Sequence, residues 1–184
     1  MRRSPFVVVF ICLVTAVVGA TTVVPLSFEQ LVSESQSVVY GRVTDVRGQW
    51  TADRRFIESV VTIDVLRGMK GPSTSLTAGS TGESMAFTVP GGQVGRYLNV
   101  IPGAPSFVRG DTAVFFLTAQ GARLPVTTGL TQGIYRVQRD VISGEMLVLP
   151  PAMEPGRIVR GDPRRKPMPL AAFEGTVRAL TGPR

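Results

Sequence analysis

The most constraining feature is a pair of β-branched runs, Val38 to Val46 and Ile57 to Leu66, joined by a short polar connection. In the second run, Ile57, Ser59, Val61, Ile63 and Val65 alternate with Glu58, Val60, Thr62, Asp64 and Leu66. That period of two places successive side chains on opposite faces of a strand. The runs are expected to pair as a long hairpin with Gln49 to Arg55 as its tip. Gly41 falls inside the first strand, where a glycine marks a bulge or sharp bend. Met69-Lys70-Gly71-Pro72 is expected to break the second.

Further strands are expected near Ser75–Ala78, Met85–Val89, Tyr97–Ile101, Thr112–Thr118, Ile134–Arg139 and Met146–Leu149. Ala113 to Leu117 is apolar without interruption, as a strand buried on both faces requires. Gly91-Gly92, Pro102-Gly103 and Arg109-Gly110-Asp111 supply turns. Ser27 and Gln30 are spaced as a capping box, with Leu26 and Leu31 as a hydrophobic staple, so a short helix is expected to end near Ser35 and plug one end of the β structure. Leu170, Phe173, Val177 and Leu180 form one apolar helical face. Many short strands with glycine corners predict a mainly β fold, a small closed or partly open barrel, with an open sandwich as the competing architecture. The bent first hairpin favours the barrel.

The N-terminus has the form of an export leader. Arg2 and Arg3 precede an apolar run from Phe6 to Val18, and Val18-Gly19-Ala20 offers small residues for cleavage before Thr21. The run is short for a spanning helix, which needs about 20 residues. The expected organisation is a signal peptide at 1–20, a β-barrel domain at 21–150, a Pro/Arg-rich linker at 151–168, and a C-terminal helix and tail at 169–184. Secretion, or release into a periplasm, follows from that leader, with no stable membrane span after cleavage.

Cys12 is the single cysteine, and it lies in the leader. The domain must therefore fold without a disulfide. The absence of histidine from all 184 residues removes His-dependent nucleophile triads and His-containing zinc sites. Ser–Lys chemistry has only Lys70 and Lys166 to draw on. Asp45, Glu58 and Asp64 are expected to face outward and not across a cleft, as paired-carboxylate hydrolysis requires. No cofactor or metal is expected. Gly91-Gly92-Gln93-Val94-Gly95 precedes a strand and not a helix, so it reads as a turn and not as a phosphate loop. Arg-Gly-Asp at 109–111 reads as a turn into the buried strand; its repeat at 160–162 falls in the linker.

The net charge of +7 is concentrated partly in Arg157, Arg160, Arg164, Arg165 and Lys166. Trp50, Arg54 and Arg55 stand at the predicted hairpin tip and are the leading candidates for contact with a partner. Arg164 and Arg165 are the second candidates, suited to an anionic surface.

The segment Ser37-Val38-Val39-Tyr40-Gly41-Arg42-Val43, with Val60 to Leu66 and Met69-Lys70-Gly71, resembles the opening of tissue inhibitor of metalloproteinases and netrin-like domains. The resemblance implies an oligonucleotide/oligosaccharide-binding-like (OB-like) barrel and a partner such as an exported protease. Inhibition by an N-terminal cysteine does not carry over, because the expected mature chain begins Thr21-Thr22-Val23. Residues 22–140 also resemble a family of secreted bacterial proteins of uncharacterised function, through the Leu26-Ser27 helix start, Pro90-Gly91-Gly92-Gln93-Val94-Gly95 and the Phe107-to-Leu117 strand. The leading expectation is a secreted, non-catalytic binding domain acting on another exported protein. The alternative is an envelope-associated structural protein that contacts anionic polymers, followed by a hydrolase. Export argues against a nucleic-acid partner.

Overall fold

A computed structural model describes residues 25–71, 83–151 and 166–182. The expected strand at Ser75–Ala78, the leader, and Arg164 and Arg165 lie outside the described residues. The helix α1 spans Phe28–Glu34. Ser27 accepts from the Gln30 N–H while the Gln30 side chain accepts from the Ser27 N–H, so the expected capping box is formed.

The strands β1 (Ser37–Trp50) and β2 (Ile57–Lys70) form the long hairpin. The pairing shifts register between Tyr40 and Gly41, at the glycine expected to bend the strand. β2 continues through the Met69-Lys70 segment that was expected to end it. Lys70 pairs with Val38, and Met69 is buried against the helices. Tertiary burial outweighs the local Gly/Pro signal there.

After β3 (Glu83–Pro90) comes a small separate hairpin, β4 (Gly92–Val94) and β5 (Tyr97–Asn99). Gly91-Gly92 was expected as a turn alone, yet Gly92 opens β4. Then follow β6 (Thr112–Gln120) and β7 (Arg123–Thr127), a 3-10 turn at Leu130–Gly133, β8 (Ile134–Arg139), β9 (Met146–Leu149), β10 (Met168–Pro169) and the helix α2 (Leu170–Thr181). Five strands close a ring in the order β1-β2-β3-β7-β6, with β6 returning to β1. The β3–β7 contact is parallel and consists of the single pair Thr88 and Val126. Pro125 contributes no N–H to a ladder, which restricts pairing by β7. The fold is thus mainly β, a barrel-like ring of five strands, with β8, β9 and β10 extending the sheet beyond β6.

β6 organises the interior. Its Ala113, Phe115 and Leu117 point into the ring with Val39, Val61, Ile63, Val65 and Phe87. Its Val114 and Phe116 point outward against Phe28, Tyr135, Phe173 and Val177. The uninterrupted apolar run is therefore used on both faces. This corrects the expected place of the first helix. It covers the outer wall of the ring, together with α2, and does not plug an end. Phe173 and Val177 of the expected helical face are buried and Leu170 packs beside them, but Leu180 is exposed. Buried Glu174 fastens α2, meeting Arg67 of β2 at 2.8 Å and Arg178 at 2.6 Å. No helix among the described residues is long and apolar enough to cross a membrane.

Candidate functional site

A groove of about 940 Å³ lies at one end of the ring, beside the single β3–β7 pair. Its walls come from the β1–β2 tip, the end of β3, the last residues of the β4–β5 hairpin and the β6–β7 region. Trp50 closes β1 at this rim and is 39% exposed, its ring 5.7 Å from Tyr97 in an edge-on contact. Phe56 and Leu124 add exposed apolar surface to the same groove. Trp50, Thr51, Ala52 and Arg54 also line an adjoining recess.

Backbone contact fixes Tyr97 beside Trp50. A Cβ on Gly48 would stand 2.0 Å from the Gln93 carbonyl oxygen, and one on Gly92 would stand 2.2 Å from the Ser59 Oγ. Only glycine permits β4 to cross the first hairpin this closely. The Pro90-to-Gly95 segment thereby acquires a structural purpose.

The tip itself is held by its own hydrogen bonds. The Thr51 N–H donates to the Phe56 carbonyl at 2.9 Å, and the Arg54 N–H donates to the Thr51 carbonyl at 2.8 Å. The Thr51 hydroxyl donates to Asp53 at 2.6 Å, and the Arg55 N–H donates to the same carboxylate at 3.3 Å. These contacts, with the more distant Arg123 guanidinium, hold the Asp53 carboxyl below its ordinary value. It remains ionised and is poorly suited to donate a proton. Glu58, the other carboxylate lining the groove, accepts from the Gln49 side chain at 2.8 Å.

Three departures from local rules meet here. Arg54 (φ 55°) and Leu130 (φ 57°) are the two non-glycine residues with left-handed backbone among the described residues. Such a conformation costs an L-residue about 1–2 kcal/mol. Arg54 lines the recess and Leu130 the groove. Thr127 also lines the groove; it is 5% exposed, and its Oγ1 has no hydrogen-bond partner among the described residues.

The structure therefore brings Trp50 and Arg54 together at one cavity, while Arg55 points to Asp53 across 3.9 Å on the exposed tip. Trp50 is the last residue of β1 and not part of the loop, as was expected. Phe56, Tyr97, Arg123, Leu124 and Thr127 were missed. Phe56 could have been found from its place beside the tip arginines; the others arrive through the ring closure and the β4 crossing, which leave no local signal.

Other sequence candidates have structural duties. Lys70 donates from Nζ to the Val32 carbonyl at 2.6 Å, satisfying the end of α1. Asp45 pairs with Arg47 at 2.8 Å. Asp111 of the first Arg-Gly-Asp binds Arg136, and Gly110 donates to the Val43 carbonyl, so this segment leads the chain into β6 as expected. Among the described residues no group of three or more His, Cys, Asp or Glu could hold a metal ion. A second exposed apolar feature, Val141 and Ile142 at 96% and 92%, stands on the β8–β9 turn, where Asp140 accepts from the Ile142 N–H and the Ser143 hydroxyl.

No family model matches this chain, and no curated protein shows significant similarity to it.

Proposed function

We propose that this chain is an exported, non-catalytic binding domain, and that another exported protein occupies the groove beside Trp50. The observation that carries this reading is that exposed Trp50 borders both the groove, with strained Leu130 and buried Thr127, and the adjoining recess, with strained Arg54. Backbone strain and unsatisfied polar groups are costly and concentrate where function requires them. Trp and Arg are also the residue types on which binding energy tends to centre. Both carboxylates of the groove are engaged in internal hydrogen bonds, which favours recognition over proton transfer.

The test is retention of exported host proteins on the immobilised protein. Protein recovered outside the cytoplasm should begin at Thr21 and retain a discrete partner. Trp50→Ala with Arg54→Ala should weaken that binding at least tenfold, which corresponds to about 1.4 kcal/mol. Val141→Ser with Ile142→Ser, on the distant turn, should leave it unchanged. Equal binding by the groove variant, or retention of an anionic polymer alone, would overturn the reading.

A further inference from the structure

We infer that the groove receives an extended acidic peptide segment, with an apolar side chain against Trp50 and Leu124 and flanking carboxylates facing Arg54 and Arg123. This rests on the groove being the binding site and adds the chemistry of its occupant.

The charge that remains unmatched is positive. Asp53 is satisfied by Thr51 and Arg55, and Glu58 by Gln49. Among the described residues neither Arg54 nor Arg123 has a hydrogen-bond or ion-pair partner for its guanidinium group, and Arg123 acts on Asp53 only from a distance. An occupant with carboxylates would complete both, and charge complementarity of this kind sets specificity and association rate.

The aromatic arrangement favours a peptide over stacked bases. Single-strand nucleic-acid sites offer open ring faces to successive bases. Here the Arg96 guanidinium lies over the Tyr97 ring at 5.3 Å, and Trp50 meets Tyr97 edge-on at 5.7 Å. The result is an apolar wall and not a row of free faces. The floor also suits an extended chain. β3 and β7 meet at one residue pair beside the groove, which leaves the rest of both strand edges without a ladder partner from each other. A peptide brings an N–H or C=O every residue, as in recognition by strand addition.

Trp50 is the single tryptophan, so its emission reports directly on this groove. A random dodecapeptide display library should be panned against the purified protein, and the enriched peptides titrated while Trp50 fluorescence is followed. The expected peptides carry Asp or Glu on both sides of an apolar residue. They should shift Trp50 emission saturably, bind more weakly as salt rises, and lose at least tenfold in affinity with Arg54→Ala and Arg123→Ala. Both arginines sit on the rim, and unchanged thermal midpoints would show the variants folded; the salt series on the unaltered protein is independent of them. Enrichment without acidic preference, or affinity indifferent to both arginines, would overturn the proposal. A saturable Trp50 response to oligothymidylate or heparin, with none to the peptides, would overturn the peptide occupant and leave the groove as the binding site. Silence of Trp50 toward all three probes would overturn both.

Discussion

The helix-covered wall and the groove end are built from similar residue types to opposite effect. On the wall, Phe28 meets Phe116, Tyr135 and Phe173 with centroids 5.4–6.0 Å apart, all in edge-to-face contact, and each ring is buried. At the groove, Trp50, Phe56 and Tyr97 keep much of their surface in water. The buried charge of the wall, Glu174, has two arginines, whereas among the described residues Arg54 has no acidic partner and the Thr127 hydroxyl no hydrogen-bond partner. One region satisfies its local rules and the other leaves several unmet. A sequence that specifies one fold tends to break local rules only where a function is served.

The largest expected effect is on the wall. Phe116→Ala removes a ring that touches Phe28, Tyr135 and Phe173 and opens a cavity behind β6. Such truncations cost about 3–5 kcal/mol, measurable by denaturant unfolding. If the two regions are independent, the folded variant keeps its ligand affinity. A loss of only about 1 kcal/mol would mean that α1 and α2 collapse readily into the space.

The opposite sign is expected at the groove. Arg54→Gly relieves a left-handed conformation and should stabilise the fold by about 1 kcal/mol. Thr127→Val replaces an unsatisfied buried hydroxyl with a methyl group of similar shape and should add about 1 kcal/mol. Each should weaken ligand binding while it raises the unfolding midpoint. Gain of stability with loss of binding separates a functional site from a structural one. Destabilisation by Thr127→Val would show that its hydroxyl is satisfied in solution, and the contrast between the regions would narrow.

The wall was more legible in the sequence than the groove, for a physical reason. Alternation in β2, the apolar run of β6 and the capping box of α1 are short-range patterns, and β8 and β9 fall where periodicity and turns put them. Burial of Met69 and the outward placing of α1 depend on what β6 presents across the sheet, so they were not legible. β4, β7 and β10 have 3, 5 and 2 residues, too few for a period to register. Trp50 and Arg54 were recognisable as tip residues. Their meeting with Tyr97, Arg123 and Thr127 depends on Gly48 and Gly92 admitting β4 and on the return of β7 to β3. Neither backbone approach has a pattern along the chain.

The smallest expected effect distinguishes the regions by pH. On the wall side, burial pushes the Lys70 ammonium below its ordinary 10.5. Between that lowered value and 10.5 the unfolded chain binds more protons than the folded one, so stability rises with pH across this window. At the groove, the Thr51 hydroxyl and Arg55 N–H hold the Asp53 carboxyl below 3.8. Its contribution is complete above 3.8 and is lost as pH falls through the folded value. Both effects are modest, since Asp53 is exposed and Lys70 only partly covered. Unfolding midpoints across a pH series should show a weak alkaline rise that Lys70→Met abolishes and Asp53→Asn leaves intact. Asp53→Asn should flatten a shallow acid decline. Trp50 emission in the folded state should follow the Asp53 titration and ignore that of Lys70, because only Asp53 lines the groove with Trp50. An alkaline rise that survives Lys70→Met would assign it to another group, and a Trp50 response to Lys70 would mean that wall and groove are coupled through β1 and β2.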